Sequence, residues 1–184
     1  MALSGVLRPG HVQIRVLDMN EAVGFYRDVL GLEEMGRDAL GRVYLKAWDE
    51  RDHHSIILRQ ADQAGMDFFA FKVDSAATLD KLEADLRQYG LSTSRIPAGD
   101  LLETGERVRF EIPSGHQIEL YAQKTFVGSD LGQKDPTPYS PKFDKGIAPM
   151  RFDHALLYGP NVDKVLEVFT QVLGFHLAEY VTLP

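Results

Sequence analysis

An internal repeat limits the possible folds of this chain more than any other feature. One strand-like run surrounds His11 and a second surrounds His154, and each is followed by a helix-like stretch that closes on Val-Leu-Gly. Gly31 lies 20 residues after His11 and Gly174 lies 20 residues after His154, so the copies are offset by 143 residues. Because the chain has 184 residues, we expect one complete module and a second that contains only its first strand and helix.

The strand and helix pattern also restarts inside the first module, between His11 and Tyr121. Alternating and helical periodicities predict strands at 10–17, 42–48, 55–59, 67–73, 92–96, 107–112 and 116–121. They also predict a helix capped by Asp18 or Asn20, one capped by Asp74 or Ser75, and one over 161–173. We read this as strand, helix and three strands, twice. The expected fold class is α+β, with two βαβββ units that pair their sheets around a shared cleft.

The distribution of proline and glycine divides the chain into three parts. We predict a first module over residues 7–122, a connector over 123–149, and the start of a second module over 150–184. Regular periodicity is lost in the connector, which is rich in proline and glycine. A stretch of this length is long for a loop within one core and favours an arm between modules.

Composition excludes several classes of protein. The net charge is −7 and no cluster of lysine or arginine occurs, which argues against nucleic acid or an anionic membrane as the partner. The chain has no cysteine, so it has no disulfide framework, thiol nucleophile or zinc–thiolate site. No run of apolar residues approaches the length of a membrane span, and a cytoplasmic location is expected.

His154 is the first candidate metal ligand. On a strand over 151–158 it would share a face with Phe152, Leu156 and Tyr158, surroundings that suit a metal ion beside an aromatic substrate. A histidine on an apolar strand is by itself more often a hydrogen-bonded core residue. The repeat is what favours the ligand interpretation.

Module one offers a second, incomplete set of candidates. Val12, Ile14 and Val16 are expected to face the core, which leaves His11 on the polar face of its strand, where Glu119 could meet it across the cleft. Two histidines and one carboxylate would form an iron site with open positions. A third ligand would come from the strand 67–73, which offers phenylalanines. We therefore interpret His11 and Glu119 as hydrogen-bonded remnants in a metal-free module.

The four remaining histidines are expected to be structural or at the surface. His53 and His54 lie in a charged turn and are predicted to be solvated. His116 follows a Pro-Ser-Gly turn, and His176 follows the helix stop at Gly174.

Several stretches together resemble the catechol 2,3-dioxygenase (metapyrocatechase) family, extradiol ring-cleaving enzymes of the vicinal-oxygen-chelate superfamily. The resemblance runs from about Val6 to about Glu179. The stretches that carry it are Arg8–Met19, Gly41–Trp48, Gly65–Phe68, Pro113–His116, Glu119–Tyr121 and Arg151–Leu157.

The resemblance implies a vicinal-oxygen-chelate (glyoxalase-like) fold and a two-module subunit that forms a homotetramer. It further implies an Fe(2+) site in the second module only, with His154 as the first ligand. The activity implied is conversion of catechol and O2 to 2-hydroxymuconate semialdehyde in the breakdown of aromatic hydrocarbons. The other two ligands and the family's acid–base residues correspond to positions beyond Pro184, so we expect the chain to be an N-terminal fragment that holds no catalytic residue and is inactive alone.

Two other functions remain open. A metal-free small-molecule-binding or resistance module of the same superfamily would bind its ligand in the cleft of module one, even after chelator treatment or the substitution His154→Ala. A metal-dependent isomerase of the glyoxalase type would not consume oxygen with catechol.

Overall fold

A computed structural model describes residues 5–128 and 145–181, in which eight strands form one mixed sheet. The strands are β1 Val6–Val16, β2 Glu33–Arg37, β3 Val43–Lys46, β4 Ile56–Gln60, β5 Gly65–Val73, β6 Thr93–Ile96, β7 Arg107–Glu111 and β8 Gln117–Tyr121. Their order in the sheet is β2-β3-β4-β1-β5-β8-β7-β6. The helices are α1 Met19–Gly24, α2 Ala76–Tyr89 and α3 Val162–Glu167, and α1 and α3 each continue as a π-helical turn, Phe25–Val29 and Val168–Val172.

The two predicted βαβββ units are confirmed. In the first unit β1 and α1 are followed by β2, β3 and β4, and in the second β5 and α2 are followed by β6, β7 and β8. The units join where β1 pairs antiparallel with β5, so that His11 lies opposite Ala70. Sequence periodicity missed only β2, a short strand whose residues are polar or half-buried and show no apolar alternation.

Local sequence signals explain where the helices begin and end. The Ser75 side chain accepts a hydrogen bond from the Thr78 amide at the start of α2, and Asp18 caps α1 in the same way. Gly90 ends α2 with φ of 105°, a left-handed conformation that glycine adopts without a steric penalty.

The two faces of the sheet bury different sets of side chains. On the outer face, Phe69, Phe71, Ile118 and Leu120 form a core with α2, while α1 covers a second core around β3 and β4. The opposite face, which we call the inner face, buries the side chains Tyr44, Ile57, Phe68, Ala70, Leu101 and Tyr121. The paired units therefore enclose the side chains of the inner face in the interior of the module.

The internal repeat extends to the backbone. A shift of 143 residues carries α1 (Met19–Gly24) onto α3 (Val162–Glu167), and the π-helical turn Phe25–Val29 onto Val168–Val172. Each π-helical turn is closed by the same i to i−5 hydrogen bond and is followed by a glycine of positive φ, 86° at Gly31 and 74° at Gly174. Equal sequence spacing thus corresponds to equal helix geometry.

The predicted strand over 151–158 is wrong. Residues 151–159 form no regular structure, and within 5–128 and 145–181 no strand pairs with them. An isolated strand cannot satisfy its backbone donors and acceptors, so alternation alone does not produce one. Of its predicted face, Phe152 packs on Phe69 with ring centroids 5.5 Å apart, while Leu156 and Tyr158 are exposed.

The helix of the second repeat does not stand free. Val168 and Leu173 are buried against the outer core, where Phe169 and Phe175 contact Phe71. Tyr89 at the end of α2 donates a hydrogen bond to Glu167 at 3.0 Å. Module one therefore covers much of the apolar stripe of this helix.

The ends of the predicted connector contact module one. Residues 123–128 form isolated bridges with it, Thr104 with Lys124 and Asp52 with Phe126, whereas residues 129–144 lie outside the described part. Among the described helices, none combines the length and the apolar character needed to cross a membrane.

Candidate functional site

His154 lies at the surface, just after the connector. Its side chain is 85% exposed, and its Nδ1 atom lies 3.0 Å from Oδ2 of Asp153. The predicted aromatic surroundings are absent in this conformation because the segment is not a strand. Nε2 of the ring is the nitrogen left for a metal ion, and a carboxylate on the other nitrogen is a common way to orient a ligating imidazole.

The segment that precedes His154 is anchored to module one. The Glu50 carboxylate accepts the Phe152 amide at 2.7 Å, and Arg151 forms an ion pair with Asp49. The Trp48 indole donates to the Ala148 carbonyl at 3.1 Å. The turn after β3, predicted only as a charged loop, thus fixes the chain two residues before the candidate ligand.

A cavity of about 370 Å³ lies at this junction between module one and the anchored segment. Its lining includes three arginines and three carboxylates, namely Arg8, Arg51, Arg151, Asp49, Glu50 and Asp52. Asp52 is bound by both Arg8 and Lys72, at 2.6 and 2.8 Å. The charges of the lining are thus largely neutralised by one another.

His11 lies on the inner face opposite the apolar core positions of its strand, as expected, and its side chain is fully buried there. The buried Lys124 lies 2.9 Å from Nδ1 of His11 and donates to the His54 carbonyl at 3.0 Å. Burial lowers the pKa of His11 well below its usual value, and the charges of Lys124 and Arg107 lower it further. Burial likewise lowers the pKa of Lys124. The expected hydrogen bond of His11 is therefore present, with a partner that the sequence did not suggest.

Glu119 is also fully buried, and both of its oxygens are bound by arginines. Arg107 donates through Nε to Oε2 at 2.7 Å, and Arg109 donates through Nη2 to Oε1 at 2.5 Å. Arg107 is itself completely buried and donates a second bond to Asp100 at 2.7 Å. The predicted hydrogen bonding of Glu119 is thus confirmed.

His11 and Glu119 belong to one row across the sheet. Strand register pairs His11 with Ala70 and Ala70 with Glu119, on the face that also carries Tyr121. The two residues from opposite halves of the module thus share one face of the sheet, on strands separated by β5. The position between them holds Ala70, which cannot ligate a metal. With arginines on the carboxylate as well, this row does not fit a metal ion.

The prediction of solvated His53 and His54 is wrong, because both side chains are buried. Their Nδ1 atoms lie 3.0 Å apart, and the His54 ring packs on Tyr44 with centroids 4.8 Å apart. The charges of Asp52 and Glu50 in this turn are satisfied by partners within the protein. The charged turn therefore folds over the histidines instead of exposing them.

The two remaining histidines lie as expected. His116 is half-buried, with its Nδ1 atom 2.9 Å from the Ser114 hydroxyl, and His176 is exposed. Across residues 5–128 and 145–181, no group of three or more His, Cys, Asp or Glu could hold a metal ion. His154 is therefore one candidate ligand without companions in the described chain.

Sequence reasoning missed Arg107, Lys124 and Glu50. Arg107 and Arg109 alternate on β7 opposite Glu119, so their spacing could have identified them as partners of that carboxylate. Lys124 lies in the irregular connector, and Glu50 in a charged turn. No periodicity marks either of them.

Comparisons with known proteins point to one family. Residues 66–125 match the family model of the catechol 2,3-dioxygenase-like N-terminal domain. A metapyrocatechase of Pseudomonas sp. strain CF600 is 53% identical over 178 residues, which are 96% of this chain and 58% of that protein. This chain thus spans well under two thirds of the relative's length.

Two solved structures extend the likeness to the fold. The 2,3-dioxygenase LapB from Pseudomonas sp. KL28 has a TM-score of 0.91 and 62% identity, covering 95% of this chain and 61% of its own. A Mn(II)-bound glyoxalase from Novosphingobium aromaticivorans has a TM-score of 0.81 and 29% identity. The match covers 95% of this chain and 55% of the glyoxalase chain. The paired βαβββ sheet is thus the vicinal-oxygen-chelate fold, and the chain is similar to extradiol dioxygenases along nearly all of its length.

Proposed function

We propose that this chain is the N-terminal part of an extradiol dioxygenase that converts catechol and O2 to 2-hydroxymuconate semialdehyde in the breakdown of aromatic hydrocarbons. The observation that carries the proposal is the 53% identity to a metapyrocatechase across 96% of the chain. The proposal includes a full-length homotetramer, as the family resemblance implies, and a cytoplasmic location without nucleic-acid or membrane partners, as the charge and the apolar runs of the sequence suggest.

We further propose that His154 is one ligand of an Fe(2+) ion. Its exposed imidazole has one nitrogen near Asp153 and the other available, which fits this role. The remaining two ligands would lie in the part of the relatives that this chain does not span. The metal would supply a centre that binds both catechol oxygens and O2 at open positions. Manganese is the alternative, since one similar structure is named as Mn(II)-bound.

Module one would serve as a scaffold rather than a second catalytic centre. Its inner face is filled by side chains that include Tyr44, Phe68 and Tyr121, and its carboxylate is neutralised by two arginines. What module one contributes to the metal site is the anchoring of residues 148–152 through Trp48, Asp49 and Glu50. This leads us to propose a supporting role for residues 7–122, with 123–149 as connector and 150–184 as the start of the catalytic module.

Identification of the product tests this function. The protein purified from its natural gene is incubated with catechol under air, and the product is identified by mass spectrometry. We expect 2-hydroxymuconate semialdehyde, and none from the 184-residue chain alone. Absence of any ring-opened product from the natural protein would refute the proposal. Ligand binding that persists after chelation and in His154→Ala, without ring opening, would support the rival metal-free binding module instead.

A further inference from the structure

We propose that the cavity of about 370 Å³ between module one and the anchored segment, which we call the junction cavity, binds a small monocarboxylate through Arg51. This site is separate from the proposed iron site and takes no part in ring cleavage. Its occupancy can therefore be tested independently of the proposed function.

The two repeats contribute equivalent arginines to the junction cavity. Arg8 and Arg151 both line it, and they are 143 residues apart, which is the offset of the repeat. Each pairs with a carboxylate of the turn after β3, Arg8 with Asp52 at 2.6 Å and Arg151 with Asp49. The cavity therefore lies where corresponding points of the two repeats meet the same turn, and its position follows from the repeat itself.

Arg51 is the lining arginine whose charge is not neutralised. Among the described residues its guanidinium forms no ion pair, whereas Arg8 and Arg151 each form one. Its backbone is held in place, because its carbonyl accepts the amides of Val127 and Gly128 at 2.7 and 3.0 Å. A guanidinium presents its donors in one plane, which matches the two oxygens of a carboxylate. Arg51 is thus a positioned positive group that can bind an anion.

The carboxylates of the lining do not compete for Arg51. Asp49 and Asp52 are paired with the two equivalent arginines, and Asp52 is also paired with Lys72 at 2.8 Å. Glu50 accepts two backbone amides, both at 2.7 Å. The three lining arginines and Lys72 therefore face three carboxylates, and one added negative charge would balance them. This balance favours a monoanion as the ligand.

Two buried polar groups beside the cavity lack a hydrogen-bond partner among the described residues. His54, a lining residue, faces His53 through Nδ1 and has no partner at Nε2. The Tyr121 hydroxyl has none either, and it lies against Gly10, another lining residue, where an added Cβ would come within 2.3 Å of it. Burial raises the pKa of Tyr121, so its hydroxyl stays protonated and can donate. Buried polar atoms are normally paired, and an acceptor in the cavity would supply what is missing.

The probe for this site is para-fluorobenzoate. Its carboxylate matches Arg51, and its ring can pack on Phe152, which also lines the cavity. Binding is measured from the broadening of its fluorine NMR signal as the protein from its natural gene is added. The uncharged analogue para-fluorobenzamide has nearly the same shape and shows how much of the affinity depends on the negative charge.

We expect the natural protein to bind para-fluorobenzoate at least about tenfold more tightly than para-fluorobenzamide. Arg51→Gln should weaken binding of the benzoate about tenfold or more, and Arg51→Lys, which keeps the charge, should recover part of the loss. Arg27→Gln, at an exposed arginine of the π-helical turn after α1, should leave the affinity unchanged. His154→Ala should also bind normally, because the benzoate is not expected at the iron site.

Equal binding of the benzoate and the benzamide would overturn the proposal, and so would undiminished binding in Arg51→Gln. Binding lost in His154→Ala but kept in Arg51→Gln would place the carboxylate on the metal ion and would equally refute it. No binding by the natural protein would show that the cavity is closed to free ligands in the full-length chain, against the proposal. If Arg51→Gln does not fold, the comparison of the two probes decides the matter.

Discussion

The buried histidines make the stability of the chain depend steeply on pH just below neutrality. Burial lowers the pKa of His11 and His54, and the charges of Lys124 and Arg107 lower both further. In the unfolded chain each imidazole titrates near its ordinary value of about 6.5. Between the folded and unfolded pKa values the unfolded state therefore binds more protons, and stability is lost as the pH falls.

The size of the effect follows from the number of protons. His11 and His54 each cost about 1.25 kcal/mol between pH 7 and 5.5, if they stay neutral in the folded chain, so together they cost about 2.5 kcal/mol. His53, whose pKa is also lowered by burial, adds to this loss. Lys124 has an unfolded pKa near 10.4. Because the pKa of Lys124 is lowered in the folded chain, this residue makes stability depend on pH above neutrality as well. It therefore does not change the slope of stability against pH at pH 6.5. The steepening below pH 6.5 belongs to the histidines.

Urea denaturation followed by far-ultraviolet circular dichroism at pH 8, 7, 6 and 5.5 measures this slope. His54→Gln should remove about 1.25 kcal/mol of the loss between pH 7 and 5.5, whatever its effect on absolute stability. His176→Gln, an exposed control, should leave it unchanged. A wild-type chain with equal stability at pH 7 and 5.5, or an unaltered slope in His54→Gln, would refute the assignment of both histidines as neutral in the fold.

Four further substitutions test how module one contacts the connector and the second repeat. Gly31→Ala should lower the free energy of unfolding by more than about 2 kcal/mol, because a Cβ there would strike a backbone carbonyl of the connector at φ of 86°. Gly41→Ala, at φ of 76° with no neighbour within 4 Å, should cost only about 1 kcal/mol. Val168→Ala should cost about 2 kcal/mol, since this side chain is buried in the outer core. Glu50→Gln should speed amide exchange at Phe152 about tenfold, for a lost bond to a charged acceptor of about 1.5 kcal/mol.

Matched controls separate these effects from general damage. Val162→Ala, on the exposed side of α3, should change stability by less than about 0.5 kcal/mol. Glu21→Gln, on the exposed face of α1, should not alter exchange at Phe152. An equal loss of unfolding free energy in Val162→Ala and Val168→Ala would show that α3 and the π-helical turn that continues it do not pack on module one in solution. Unchanged exchange in Glu50→Gln would remove the anchoring role of Glu50.

The parts of the fold that follow from local rules were predictable from sequence. The 143-residue offset located α3 because apolar spacing and a terminal glycine recur together. The caps of α2 at Ser75 and Gly90 and the alternation along β1 and β5 are equally local. These signals need no knowledge of what the element packs against.

The errors concern residues whose environment is set by distant partners. Alternation over 151–158 predicted a strand, but within the described chain that segment has no neighbouring strand to pair with. His53 and His54 looked solvated because their turn is charged, yet Asp52 reaches Lys72 and Arg8 and so closes the turn over them. Such contacts depend on the three-dimensional arrangement and leave no periodic trace in the sequence.

The proposed function requires that ring cleavage by the full-length protein depend on a metal ion held by His154. Catechol-dependent oxygen uptake by the protein from its natural gene, loaded with Fe(2+), tests it most directly when His154→Ala is compared with His176→Ala. Both histidines are exposed, so neither substitution disturbs the core. The account predicts that oxygen uptake is abolished in His154→Ala and retained in His176→Ala. Undiminished uptake in His154→Ala would contradict it.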